Sequence, residues 1–218
     1  MIWLASSLTY LLCEAIAAGG FPGYSYAANF ISDLGVPYKG YFAGRELNST
    51  LAVVMNAGFI LHGLLFALSS ILVLPAIRPQ LMARIALIAL ALAHALGSLL
   101  IAVVHSGNRE LESGMNALHL IGATLAIVGG NLAVLTLAIH LRNFVAANSY
   151  RYATFALLAI AVLGIGLLIV LPHTPLGGAF ERCGVYSIMA WELLTAAFLL
   201  AATAPLSRSR RRPLPYHG

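Results

Sequence analysis

A chain of 218 residues with 61% hydrophobic and 9% charged side chains lies far from the soluble range, where roughly a quarter of residues are charged. Its 12 basic and 7 acidic residues leave a net charge of +5, and the mean hydropathy is +0.91. A water-soluble core is excluded: the solvent is lipid, and the length suits one domain. The apolar runs are continuous and long rather than alternating, so they predict an all-α integral membrane protein and exclude a membrane barrel.

Spanning takes about 20 apolar residues, and six runs qualify, near residues 2–18, 52–77, 83–104, 116–141, 150–172 and 184–205. The first ends Ala15-Ile16-Ala17, like a cleavage site, yet it lacks a basic leader and contains Glu14, so it reads as an uncleaved helix. Between the first two runs lies a long connection, 19–51, bearing Phe21, Tyr24, Tyr26, Phe30, Tyr38, Tyr41 and Phe42 among glycines and prolines. Aromatic rings at this density suit the membrane–water interface. This segment is expected to cap the bundle, or to act as a lid over a cavity. Within it, Ser32-Asp33-Leu34-Gly35 reads as a short turn in which Asp33 either caps or points inward. The six-helix transmembrane domain covers 1–206, and 207–218 is a basic tail.

Charge placement gives an orientation. Arg78 and Arg84, Arg142 and Arg151, and the tail residues Arg208, Arg210, Arg211 and Arg212 occupy one side without acidic neighbours. The opposite connections mix Lys39, Arg45, Arg109 and Arg182 with Asp33, Glu46, Glu110, Glu112 and Glu181. Arginine-rich short loops stay in the cytoplasm, so both termini are expected there. The positive charge is then a topology anchor that also favours anionic lipid, and calls for no nucleic-acid partner.

Two polar groups stand out. At the outer helix ends sit Asp33, His105, His119, His173, Glu181 and Arg182. Asp33, His119, Glu181 and Arg182 are the candidate catalytic set, expected in one outward-facing cluster because pairing offsets the cost of charge near lipid. His105, His119 and His173 are candidate ligands for zinc, which would acidify a bound water for hydrolysis. Arg182 would hold a phosphate or carboxylate by a two-pronged contact. Nearer mid-bilayer lie His62, His94 and Glu192, with Glu14 shallower. Ionised groups there cost about 2.5–3.5 kcal/mol, so they should face inward and find partners. A structural His–Glu lock, a proton relay, a substrate path and bis-histidine haem ligation by His62 and His94 are the alternatives, haem needing two rings that face each other across a gap. Ser32 and Asn56 complete the candidate ligand-binding set. Gly58, Gly63, Gly122, Gly129, Gly130, Gly164 and Gly166 should let helices approach closely, with Asn56 and Asn131 bonding across them. Cys13 and Cys183 fall toward the same side, and their spacing demands no disulfide.

Several short motifs together resemble a prokaryotic six-helix membrane family, domain of unknown function 998. They are Ser32-Asp33-Leu34-Gly35 after the first helix, Asn56 with Gly58 in the second, His119 opening the fourth, Glu181-Arg182 just before the sixth, and Trp191 within it. Val104-His105-Ser106-Gly107 departs from the aromatic-proline step that often ends the third helix of such proteins. The resemblance implies the fold, a prokaryotic inner or plasma membrane, and the position of a site, and assigns no activity. Three functions are expected to compete: a metal-dependent intramembrane hydrolase acting on a lipid or small hydrophobic molecule, a proton-coupled small-solute transporter, and a non-catalytic accessory subunit of a larger membrane complex. The Ser, Asp and His inventory is loosely similar to that of the alkaline ceramidase and adiponectin-receptor superfamily, whose His-x-x-x-His spacing is missing here.

Overall fold

A computed structural model describes residues 1–141, 148–171 and 174–203. Among them, six helices are long and apolar enough to cross a bilayer. In chain order the elements are α1 (Ile2–Gly19), a 3-10 turn (Ile31–Gly35), β1 (Gly40–Phe42), β2 (Arg45–Leu47), α2 (Ala52–Leu72), α3 (Leu74–Ile77), α4 (Leu81–Val103), α5 (Asn108–Glu112), α6 (Asn116–Leu141), α7 (Asn148–Val170) and α8 (Gly177–Thr203). The short α3 continues the second span past a break at Val73, because Pro75 cannot donate to the preceding turn. Arg78 then ends it in the left-handed region at φ 43°.

Five of the six spans close a ring: α1 packs on α2, α2 on α4, α4 on α6, α6 on α8, and α8 back on α1. The remaining span, α7, lies outside that ring and rests chiefly on α8. Hydrophobicity does not hold helices together in lipid, so close contact must come from small residues and polar bonds. The α4/α6 crossing is the tightest case. A methyl built at Gly97 would lie 2.9 Å from the Leu125 carbonyl carbon and nearer still to Ala126 N, so only glycine fits. Elsewhere Gly63 makes room for Ser98 and Gly58 for Cys13. Gly164 receives Cys183 in the same way, which keeps the two free cysteines against different neighbours. Gly166, expected to pack, faces open space instead. Asn131 does bond across helices, its amide donating to the Gly184 carbonyl at 3.0 Å.

The last span begins at Gly177, earlier than the hydropathy boundary at 184. Glu181 and Arg182 are therefore inside the helix, in its second turn, and do not precede it. A hydropathy window excludes them because they are charged. The helix includes them because each finds a partner in the segment folded over it.

That segment, residues 20–51, covers one end of the ring. Its hairpin pairs Gly40 with Leu47, Tyr41 with Glu46 and Phe42 with Arg45, the turn at Ala43 and Gly44 taking φ of 47° and 80°. Phe21, Ile31, Leu34 and Val36 are buried beneath it, whereas Tyr26 and Tyr41 are exposed. Two bonds seal its ends to the helices: Thr50 Oγ1 donates to the Gly20 carbonyl at 2.7 Å, and Asn56 Nδ2 donates to the Gly35 carbonyl at 2.9 Å. Asn56 thus holds the lid rather than a neighbouring helix.

A cavity under the lid

Asp33 organises the lid from within. Its carboxylate accepts the Phe30 N–H at 3.0 Å, capping the 3-10 turn, and the Asn29 amide at 3.2 Å. Arg45 from β2 grips both oxygens, at 2.8 and 3.2 Å, and stacks over the Phe30 ring at 4.3 Å. Fully buried, Asp33 serves as both a cap and an inward-pointing charge, the two options the sequence leaves open.

Arg182 has a different partner. Its guanidinium reaches Glu14 Oε1 at 2.9 and 3.2 Å and donates to the carbonyls of Tyr26, Asn29 and Gly178 at 2.8–3.0 Å. It also donates to the Tyr24 hydroxyl. Burial pushes that hydroxyl's pKa up, and the adjacent guanidinium offsets this only in part. Tyr186 completes the group by donating to the Glu14 carboxylate at 2.9 Å. Every edge of the guanidinium is engaged, so Arg182 staples the lid to α1 and α8 and keeps no fork for a phosphate or carboxylate. Asp33 pairs with Arg45 and Arg182 with Glu14, and Asn29 links the two pairs, its amide donating to Asp33 and its carbonyl accepting from Arg182.

The other two members of the candidate set, Glu181 and His119, share no direct bond but line one space. Glu181 Oε2 accepts the Ile31 N–H of the 3-10 turn at 2.6 Å. His119, buried near the start of α6, donates Nδ1–H to the Val104 carbonyl at 2.6 Å. A carbonyl only accepts, so Nδ1 carries the proton and neutral His119 presents Nε2 as a lone pair. Both side chains line a cavity enclosed by all five ring helices, with Ile31 and Ser32 of the 3-10 turn as its roof. Deeper in, the same cavity is walled by Tyr10 of α1, His62 of α2, and His94 and Ser98 of α4. The outer and mid-membrane polar groups, separate in the sequence, thus share one space. Its volume is ≈ 40 Å3, room for about two or three waters.

Several polar atoms in that wall are uncommitted. Among the described residues, no protein group hydrogen-bonds the Tyr10 hydroxyl, Ser32 Oγ, Ser98 Oγ, His119 Nε2 or Glu181 Oε1. Polar atoms that face a cavity without a protein partner are free to hydrogen-bond water or another small molecule there. Ile127, Val185 and Ile188 supply the apolar remainder.

His62 and His94 do not face each other across a gap. Their rings touch edge-on, centroids 5.2 Å apart and planes at 76°, with His94 Nε2 3.4 Å from His62 Nδ1. No haem fits between them. Glu192, fully buried on α8, closes the other side of His62 at 3.1 Å. Among the described residues no group of three or more His, Cys, Asp or Glu converges to hold a metal, and the zinc reading calls also on His173. His105 lies 3.6 Å from Glu110 and 3.4 Å from Asn56, and is not part of the cavity wall. His173 lies outside the described residues.

Sequence reasoning missed Tyr10 and Ser98 as cavity residues, since a lone tyrosine or serine in an apolar run carries no signal. It placed Arg45 only among loop charges. Its bond to Asp33 joins β2 to the 3-10 turn 12 positions away, a spacing that no local motif marks.

Residues 4–208 match a family model described as protein of unknown function (DUF998), nearly the whole chain. No curated protein and no solved structure matches. The chain belongs to the DUF998 family, a multi-pass membrane family.

Proposed function

We propose that this DUF998 protein binds a small hydrogen-bonding molecule, or the polar end of a lipid, in the cavity beneath its lid, with Glu181 and His119 as the proton-handling pair. One observation carries this reading: Ser32, His119, Glu181, Tyr10 and Ser98 converge on one cavity with polar atoms left unbonded. His119 Nε2 is a base while neutral, and Glu181 Oε1 a base or an acid according to its charge, so the wall can exchange a proton with an occupant at two points. The arginine placement supports entry from the extracytoplasmic side. The 3-10 turn is the gate, because the Ile31–Glu181 bond must break for the roof to lift.

A one-sided site is favoured over a transport path. On the far side of His62, Trp3, Phe66, Leu137 and Trp191 form a buried apolar core, Trp3 and Trp191 meeting edge-on at 5.4 Å. An accessory role draws no support from the cavity, since a purely structural subunit gains nothing from unsatisfied polar walls.

The test is co-purification. The full chain is isolated from its native membrane, and small molecules and lipids extracted from it are identified by mass spectrometry. Ala123→Leu fills the cavity from α6, and Glu181→Gln removes one proton-handling oxygen. Both should lose a species held by the wild type while keeping its thermal stability. A wild type that carries no such species, or variants that retain it equally, overturns the proposal.

A further inference from the structure

The hydrogen bonds around His62 determine where protons sit. His94 Nδ1 lies 2.7 Å from the Ala126 carbonyl oxygen, which only accepts, so Nδ1 must carry a proton. His94 Nε2 is 3.4 Å from His62 Nδ1, and His62 Nε2 is 3.1 Å from Glu192 Oε2. For both contacts to be hydrogen bonds, the three side chains must hold one proton beyond a carboxylate and two neutral rings. That proton has three alternative homes. With Glu192 protonated, it donates to His62 Nε2, and His62 Nδ1–H donates to His94. With His62 protonated, the ring donates both ways. With His94 protonated, its Nε2–H donates to His62 Nδ1, and His62 Nε2–H donates to the Glu192 carboxylate. Take the extra proton away and one contact sets two lone pairs against each other beside an unpaired buried charge.

We propose that Glu192, His62 and His94 are a proton relay: they share a single proton and pass it between the α8 carboxylate and the cavity wall. In the transfer, the Glu192 Oε2–H bond breaks as His62 Nε2–H forms. The His62 Nδ1–H bond then breaks as His94 Nε2–H forms. His62 ends in its other tautomer, and the negative charge stays on Glu192 while the positive charge reaches His94.

Three surroundings favour this over a fixed salt bridge. Glu192 Oε1 is buried with no hydrogen-bond partner, a position a neutral acid tolerates better than a carboxylate. Ser7 Oγ, 2.5 Å from Glu192 Oε2, can donate to that oxygen whether or not it carries the proton. Among the described residues no fixed positive charge contacts the three side chains: the titratable neighbours are Tyr10 from α1, 5.1 Å ring to ring from His62, and, across the cavity, His119 from α6 and Glu181 from α8. Phe66 packs over both imidazoles from α2, and Ala126 meets His94 from α6. Both rings form part of the cavity wall, so water or an occupant can take the proton or return it. Only that last exchange rests on the proposed binding site; the sharing among the three groups does not.

The test is a pH titration of the full chain in lipid nanodiscs without added ligand, read by nitrogen-15 NMR of its histidines and by the carboxylic-acid carbonyl infrared band. In the wild type, His62 should change tautomer as His94 gains or loses its Nε2 proton, in step with loss of a carboxylic-acid band. Glu192→Gln keeps the His62 bond by donating its amide to His62 Nε2, and its second amide hydrogen can reach Ser7 Oγ, whose own hydrogen turns to the Met189 carbonyl. It should lose that band and lock His62 with its proton on Nδ1 at every pH. Should that variant fail to fold, His62→Gln serves: it breaks the path, so Glu192 and His94 should no longer titrate in step. Wild-type histidines that keep one fixed tautomer throughout, or spectra unchanged by either substitution, overturn the relay. Because this readout needs no occupant, it is decided separately from the co-purification test.

Discussion

Glu14 of α1 and Arg182 of α8, 168 positions apart, meet at 2.9 Å beneath the lid, both almost fully buried. The pair joins the first and last spans, and through the Tyr26 and Asn29 carbonyls it fastens the lid to them. Breaking a buried ion pair from one side costs about 3–5 kcal/mol, because the remaining charge is stranded. Arg182→Ala should therefore lower thermal stability in detergent markedly. Glu14→Gln, which still offers an oxygen, should cost less. Equal stability of Arg182→Ala and wild type would remove the staple.

Asp33 gives the second prediction. It is buried, takes Arg45 at 2.8 Å and caps the 3-10 turn that roofs the cavity. Asp33→Ala should cost about 2–3 kcal/mol, the worth of charge-assisted bonds lost from a buried site. It should also open the hairpin to limited proteolysis between residues 36 and 48. A lid as resistant as that of the wild type would contradict this.

The helix crossings predict opposite outcomes for two glycines. Gly97→Ala forces backbone apart at the α4/α6 contact, where nothing flexible can give way, and should cost about 1–3 kcal/mol. Gly166→Ala meets nothing within 4 Å, so it should be neutral or gain up to about 1 kcal/mol from helix propensity. Thermal melts of the two variants side by side decide the matter.

High pH should loosen the lid at Tyr38. Its hydroxyl donates to Glu110 on α5, and burial, followed by that carboxylate, pushes its pKa up to about 12. An unfolded tyrosine titrates near about 10. Because the folded value is the higher one, the contribution is complete below about pH 10 and is lost as pH rises through about 12. Burial raises Tyr24 as well, so spectrophotometric titration should show more than one tyrosine ionising late, and Tyr38→Phe should remove the component near pH 12. A component near pH 12 that survives the substitution unchanged would contradict this.

The orientation is tested by labelling. In a background with Cys13 and Cys183 replaced by alanine, Ser113→Cys near the lid should react from outside sealed cells, and Gln80→Cys at the opposite end only after permeabilisation. Both positions are exposed. Reaction of Gln80→Cys in intact cells would reverse the topology.

The sequence alone determined the solvent, the number of spans and the lid, because hydropathy and chain continuity are properties a single residue carries whatever its neighbours. It also marked Asp33, His119, Glu181, Glu192 and His62 as groups too costly to leave facing lipid. Pairing was decided only in three dimensions. Arg182 chose Glu14, Asp33 chose Arg45, and His62 took Glu192 and His94, since a charge in a low-dielectric interior is satisfied by whichever partner lies within about 3 Å, at any distance along the chain. The ring of five helices, with α7 left outside, follows from where Gly63, Gly97 and Gly164 permit contact. Hydropathy shows only part of this: α7 is the most apolar and the least buried of the six spans, but hydropathy does not say which helices touch. The cavity is the product of that ring, a space no residue predicts by itself.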